Sequence, residues 1–290
     1  MSTFPRVTVL GAGVLGSQIG FQAALHGKEV TLWDISDEAL DAARGRAEAI
    51  VPDYVREVPS GDEQAARAAV AGLRWTSDLA DAVAGADLVI EAVPERLDVK
   101  RDVWSRVGAV ADEATVFATN SSTLLPSAIA DATGRPDRFL ALHFANHVWV
   151  NNTGEVMGHD GTDREVRRQV LAFAEEIGMV PVDVLKEQPG YVLNALLVPL
   201  LGAASGLLVR GVATAETIDL TWRTATGAPA GPFQIFDTVG LRTAAAVSAA
   251  GDEESRAFAE MLQRDYLAHG KVGRESGEGF YRYDEHGRQL

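Results

Sequence analysis

Gly11-Ala12-Gly13-Val14-Leu15-Gly16 lies between a short apolar run, Val7 to Leu10, and a helical stretch, Ser17 to Leu25. A G-x-G-x-x-G in that setting constrains the chain more than any other feature, because each glycine answers a steric demand. Gly11 allows a tight turn, Gly13 lets backbone amides approach a pyrophosphate, and Gly16 lets the helix lie close on the strand. Asp34 closes the next apolar run, Val30 to Trp33, eighteen residues beyond Gly16, where a carboxylate can accept from both hydroxyls of an adenosine ribose. Ile35 and Ser36 follow, with no arginine beside them. A 2′-phosphate ~4 Å from that carboxylate would meet a repulsion of ~4 kcal/mol at an effective dielectric of ~20, before screening. The pattern predicts a site for NAD rather than NADP, built on Gly11, Gly13, Val14, Leu15, Gly16 and Asp34. A glycine-rich turn beside an unrelated surface aspartate is the plainer alternative, and it leaves the agreement of strand, glycines, helix and acid unexplained.

The same alternation continues through the first half. Leu88 to Val93, Val116 to Thr119, Leu140 to Phe144 and Val180 to Val184 bring the candidate strands to six, separated by helix-forming segments. That is the pattern of a doubly wound α/β fold with a mostly parallel sheet. Asp37 to Gly72, broken by Pro52, Pro59 and Gly61, reads as an inserted helical pair with a turn. After about Gln188 the periodicity is helical, over Tyr191 to Arg210, Thr214 to Thr224, Asp252 to Ala268 and a short segment from Gly231-Pro232. With 290 residues there is room for two cores, so the division expected is 1–186 for a Rossmann-type NAD-binding domain and 187–290 for a smaller all-helical one.

Composition excludes several classes of function. Lys plus Arg number 26 against 41 Asp plus Glu, and a formal charge of −15 repels nucleic acid and anionic lipid. Zero cysteines exclude disulfides, thiolate metal sites and cysteine nucleophiles. Tyr191 to Val209 is uncharged, but Asn194, Pro199, Gly202, Ser205 and Gly206 interrupt it, which suits a core or interface helix better than a membrane span. Met1 to Arg6 carries no secretory pattern, so a cytoplasmic location is expected. His143 and His147 have the spacing of a helical zinc pair, yet His143 ends a strand and no glutamate follows it, so no metal is expected. On residue type alone, Ser122 is a turn residue, Glu155 a solvated acid and Asn194 a hydrogen-bonded amide on an apolar helix.

Several ordered pieces carry a sharper reading. They are Gly11 to Gly16, Glu91-Ala92-Val93-Pro94-Glu95, Asn120-Ser121-Ser122, and Leu142-His143-Phe144 with Asn146. Tyr191 to Pro199, Gly231-Pro232-Phe233 with Asp237 and Gly240, and Gly277 to Tyr283 complete the set. Through these the chain resembles the 3-hydroxyacyl-CoA dehydrogenase family over essentially its whole length, and His143 to Thr153 resembles its bacterial diketoreductase branch, which reduces β,δ-diketo esters with NADH. The resemblance implies an NAD-dependent oxidoreductase interconverting a 3-oxo acid derivative and its 3-hydroxy product. It makes His143 the acid/base, Glu155 its orienting carboxylate, and Ser122 and Asn194 donors to the substrate oxygen, so that both domains contribute. Glu95 and Asn120 join the cofactor site, and Asn146, His147, Trp149 and Trp222 fall in the substrate pocket. A homodimer through the C-terminal domain is also implied.

Two departures bear on the substrate. Typical acyl-CoA enzymes of the family carry proline after the asparagine, where this chain has His147. The inserted helices, which in the family help hold CoA with lysine among the contacts, have no lysine between Lys28 and Lys100, although Arg44, Arg46, Arg56, Arg67 and Arg74 remain. Three alternatives stay open: a conventional dehydrogenase of CoA thioesters, oxidation of a free hydroxy sugar acid, and a non-catalytic, crystallin-like dinucleotide binder.

Overall fold

The computed structural model describes residues 3–284 and 287–290. They form two compact units, one ending at Val192 and the other beginning at Leu193. The first unit runs β1 (Arg6–Leu10), α1 (Val14–Leu25), β2 (Glu29–Trp33), α2 (Asp37–Glu57), α3 (Glu63–Ala71), β3 (Arg74–Thr76), α4 (Leu79–Val83), β4 (Leu88–Glu91) and α5 (Leu97–Val110). It continues through β5 (Val116–Thr119), α6 (Pro126–Ile129), β6 (Phe139–Phe144), β7 (Thr153–Met157), α7 (Arg164–Glu176) and β8 (Val180–Val184).

The strands make one eight-stranded sheet in the order β3-β2-β1-β4-β5-β6-β7-β8. Strands β1 to β6 are parallel; β7 runs antiparallel to β6, and β8 parallel to β7. Six strands were expected, and the two additions are β3 and β7. Neither has a run of β-branched apolar residues, and β3 is only three residues long, so neither carries the usual strand signal. Alternation sorts the side chains to two faces. Leu140, Leu142 and Phe144 join the core under α1, α2, α3 and α7. Leu10, Trp33, Val89, Phe117 and Phe139 pack under α4 and α5, with Trp104 against the rings of Phe117 and Phe139.

Pro52 was expected to break the segment after β2, yet α2 continues through it to Glu57. Leu40, Ala43, Ala47, Ile50 and Val51 bury one continuous face, and that packing outweighs the backbone hydrogen bond a proline removes. Polar caps start α2, α3, α4 and α7, where Ser36, Asp62, Asp78 and Asp163 accept from first-turn amides. Helix α1 begins at Gly13 with no side-chain cap and no acid in its first turn.

The second unit contains α8 (Leu193–Val209), α9 (Ala215–Thr226), α10 (Pro232–Val239), α11 (Leu241–Ala249) and α12 (Glu253–Asp265). Tyr191, expected to open the first of these helices, belongs to the preceding unit, and α11 adds a helix to those expected. Phe233, Phe236, Phe258 and Phe280 form its aromatic centre. Two buried acids tie in the tail. Asp237 accepts from the amides of Phe280 and Tyr281 and from the Tyr283 hydroxyl, while Asp219 accepts from Phe233, Gln234 and the Tyr281 hydroxyl. Among the described residues no helix is long and apolar enough to cross a membrane.

Candidate active site

The order 3-2-1-4-5-6 reverses direction between β1 and β4, and ligands of such sheets bind outside the strand ends at that point. Gly11 takes φ +92° there, and a Cβ on it would lie 2.8 Å from the Ala92 carbonyl oxygen. A Cβ on Gly16 would stand 1.8 Å from the Gly11 carbonyl oxygen, so the helix reaches the strand only because both positions are glycine. At Gly13 a Cβ would meet nothing within 4 Å. This open face, together with the uncapped amides of α1, suits a dinucleotide pyrophosphate. Val14 lies exposed on the first turn of α1 and Leu15 is partly buried beside the core. Asp34 accepts from the amides of Ala12 (2.9 Å) and Ile35 (2.8 Å), which pins the glycine loop to the end of β2.

The register of β6 with β7 sets His143 directly opposite Glu155. In an antiparallel pair such residues point to the same face with Cβ atoms about 5 Å apart. His143 Nδ1 lies 3.0 Å from Glu155 Oε2, and the other carboxylate oxygen, Oε1, accepts from the Val192 amide at 2.9 Å. On the far side of the ring, Nε2 is 3.1 Å from the Ser122 hydroxyl. Ser122, His143 and Glu155 therefore come together, and the acid is 2% exposed rather than solvated. A carboxylate at Nδ1 fixes the tautomer with hydrogen on that nitrogen and leaves Nε2 for proton exchange. Tyr191, at φ +55°, stacks on the imidazole with centroids 4.4 Å apart and donates its hydroxyl to the Ser121 carbonyl at 2.6 Å. Burial, reinforced by Glu95, Glu155 and Glu91, pushes its phenol well above the usual range, so it stays a neutral donor.

Glu95 shapes the same loop. Its Oε1 accepts from the Ser121 hydroxyl (2.6 Å) and from the amide and hydroxyl of Thr123 (2.8 Å each), while Oε2 lies 3.3 Å from Lys100 Nζ. Burial alone would raise this carboxyl, but those hydrogen bonds and Lys100 outweigh it and hold it at about 2. Lys100 also binds Glu91 at 2.6 Å, and both side chains are essentially inaccessible. Glu91 is held further by the Thr119 hydroxyl (2.7 Å) and the Val93 amide (2.9 Å). Removing one partner of such a buried pair costs about 3–5 kcal/mol, because the other charge is left uncompensated. Sequence reasoning gave no site role to Glu91, Lys100 or Tyr191. The first two did leave a signal, since Glu91 ends an apolar strand and Lys100 shares a helical stripe with Val103, Trp104 and Val107.

The remaining expected residues are distributed as follows. The Asn120 side-chain oxygen accepts from the Phe144 amide at 2.9 Å, joining the ends of β5 and β6. The Asn146 carbonyl accepts from the Asn151 side chain. His147 and Trp149 both meet Glu57, at 2.8 and 2.9 Å. Asn194 and Trp222 lie in the second unit, on α8 and α9.

Switch point, glycine loop and β2 acid together describe a nicotinamide-dinucleotide oxidoreductase. Residues 6–188 match the family profile for the 3-hydroxyacyl-CoA dehydrogenase NAD binding domain, and residues 190–283 match the one for its C-terminal domain. The human mitochondrial hydroxyacyl-coenzyme A dehydrogenase is 35% identical over 96% of this chain and 91% of its own length. A probable 3-hydroxybutyryl-CoA dehydrogenase of Deinococcus radiodurans is 33% identical, covering 95% and 99%. A solved structure described as substrate-directed dual catalysis of dicarbonyl compounds by diketoreductase is 58% identical with a TM-score of 0.94, covering 98% of this chain and 100% of that one. The (S)-3-hydroxybutyryl-CoA dehydrogenase of Ralstonia eutropha follows at 30%, with a TM-score of 0.79 and coverage of 97% and 100%. The chain belongs to the 3-hydroxyacyl-CoA dehydrogenase family, and its cofactor is NAD.

Proposed function

We propose that the chain reduces a 3-oxo acid derivative, a β-keto or β,δ-diketo compound, to its 3-hydroxy product. The observation that carries this reading is the single imidazole with Glu155 on Nδ1 and Ser122 beside Nε2. When bound, NADH supplies the hydride. His143 gives the proton from Nε2 to the carbonyl oxygen, and Glu155 balances the charge of the imidazolium before transfer. The Ser122 hydroxyl donates to that oxygen as negative charge gathers on it. From the family pattern alone, Asn194 is assigned an amide donor role toward the same atom. Oxidation of the hydroxy compound reverses these steps, with His143 as base.

A compact dicarbonyl is favoured over a CoA thioester. One support is the 58% identity to a structure described for dicarbonyl compounds. Another is that the arginines of the inserted helices, and Arg74 on the neighbouring β3, are engaged within the chain. Arg46 donates to the Ala12 carbonyl, Arg44 lies over the Trp75 ring, and Arg56, Arg67 and Arg74 pair with Asp53, Glu63 and Asp81. The names of the curated relatives favour the second reading, a dehydrogenase of CoA thioesters. A cytoplasmic homodimer, joined through the helical unit, belongs to the same proposal.

NADH oxidation should be followed with a 3,5-dioxohexanoate ester and with acetoacetyl-CoA side by side, and with NADPH as control. Higher kcat/KM for the diketo ester is the expected result. Preference for the thioester would overturn the substrate assignment, and activity with neither would overturn the reaction.

A further inference from the structure

The loop after the catalytic-histidine strand is gripped from outside by the first two helices. Glu57, the last residue of α2, accepts with one oxygen, Oε2, from both His147 Nδ1 (2.8 Å) and the Trp149 indole (2.9 Å). Burial pushes this carboxyl up, but the hydrogen bonds from His147, Trp149 and Arg56 prevail and hold it below its ordinary range. From α1, the buried Gln18 accepts the His147 amide at 2.7 Å. The Trp149 ring stands edge-on to Phe21 and Tyr54, with centroids 5.9 and 6.5 Å away. His147 adopts φ +58°, a left-handed conformation that a side chain other than Gly or Asn holds only when its surroundings impose it. Behind this bend, Asn151 closes the loop onto the Asn146 carbonyl at 2.7 Å.

We propose that Glu57 is a positioning and specificity residue: through His147 and Trp149 it clamps the loop Ala145 to Asn152 against α1 and α2, and so fixes the wall of the carbonyl-substrate site that begins two residues beyond His143. This rests on the reduction proposed above. His147 and Trp149 then act as braces rather than as pocket-lining groups. The clamp faces Arg56, which also pairs with Asp53, so the charged groups around Glu57 are Arg56, His147 and, behind the arginine, Asp53. A small dicarbonyl has few remote groups with which to recover a misplaced wall, whereas a thioester carries a large remote one. The clamp therefore matters more for the compact substrate.

The test compares Glu57→Ala, His147→Gly and His147→Asn. Glycine relaxes the left-handed bend and removes the donor. Asparagine tolerates the bend and carries a donor nitrogen on Cγ, where Nδ1 sits in histidine. Glu57→Ala and His147→Gly are expected to raise the KM of the carbonyl substrate about tenfold, with a smaller fall in kcat and NADH affinity within about twofold by fluorescence titration. His147→Asn should recover to within about threefold of the wild-type KM. In the two clamp-breaking variants the diketo ester should lose more kcat/KM than acetoacetyl-CoA. Melting curves run alongside, and if Glu57→Ala does not fold, the two His147 variants decide. A substrate KM unchanged in His147→Gly, or His147→Asn behaving like His147→Gly, would overturn the clamp. The comparison uses whichever carbonyl substrate the wild type reduces, so a wrong substrate assignment and a wrong clamp give separate results.

Discussion

His143 owes its setting to strand register. A slip of one residue in β7 would turn Glu155 to the opposite face and bring Gly154 or Val156 opposite the imidazole, which neither could orient. His143→Gln and Glu155→Gln should therefore lower kcat by about a hundred- to ten-thousandfold while NADH binding, followed by fluorescence, stays near wild type. Near-normal turnover in folded variants would remove the acid/base assignment. Glu95 supports the loop that carries Ser122, and its low pKa gives a pH dependence with a definite sign. The carboxyl titrates near 4.5 when unfolded and near 2 when folded, so its contribution is fully present above the unfolded value and is lost as pH falls through the folded one. The melting temperature of Glu95→Gln should lie below wild type at neutral pH, and the gap should close between pH 4.5 and 2. With the side chain 37% exposed, solvent screening keeps this gap small.

The turn between β1 and α1 separates two roles that the glycine motif combines. Gly16 is filled space, so Gly16→Ala drives a methyl into the Gly11 carbonyl and should lower the melting temperature by about 5 °C or more. Gly13 faces open space, so Gly13→Ala should melt within about 2 °C of wild type yet bind NADH about tenfold or more weakly. Calorimetry and fluorescence titration read the two effects separately, and a destabilised Gly13→Ala with unchanged affinity would reverse the assignment. This turn was legible because its demands are local, falling on residues adjacent in the chain. Strand β7 was not: Thr153-Gly154-Glu155-Val156-Met157 has one β-branched apolar residue, and it is a strand because β6 and β8 pair with it on either side. Glu155 read as a solvated acid for the same reason, since its burial comes from neighbours distant in sequence. The proline in α2 and the extra helix α11 likewise follow from packing, which local propensity does not contain.

For the whole molecule, the exposed apolar residues of α8 bear on assembly. Leu196 is 70% and Val198 51% exposed in the single chain, and the proposed homodimer would cover them. Light scattering should give twice the chain mass for the native protein. It should give the single mass for Leu196→Glu, with helical circular dichroism retained; a native monomer would overturn this assembly. Alternating strand and helix signals, the glycine turn with Asp34, the cysteine-free acidic composition and the change to helical periodicity near residue 188 were all readable in order along the chain. Each depends on spacing between near neighbours, and together they specify an α/β dinucleotide-binding fold followed by a helical region. Resemblance then supplied the family. That His143 faces Glu155, that Lys100 joins Glu91 to Glu95, that Tyr191 roofs the imidazole and that Glu57 holds His147 and Trp149 emerges only in the folded chain. The ion pairs and the stacked ring draw their strength from burial, which exists only once the sheet is covered on both faces, and the hold of Glu57 joins α2 to a loop 90 residues further along the chain.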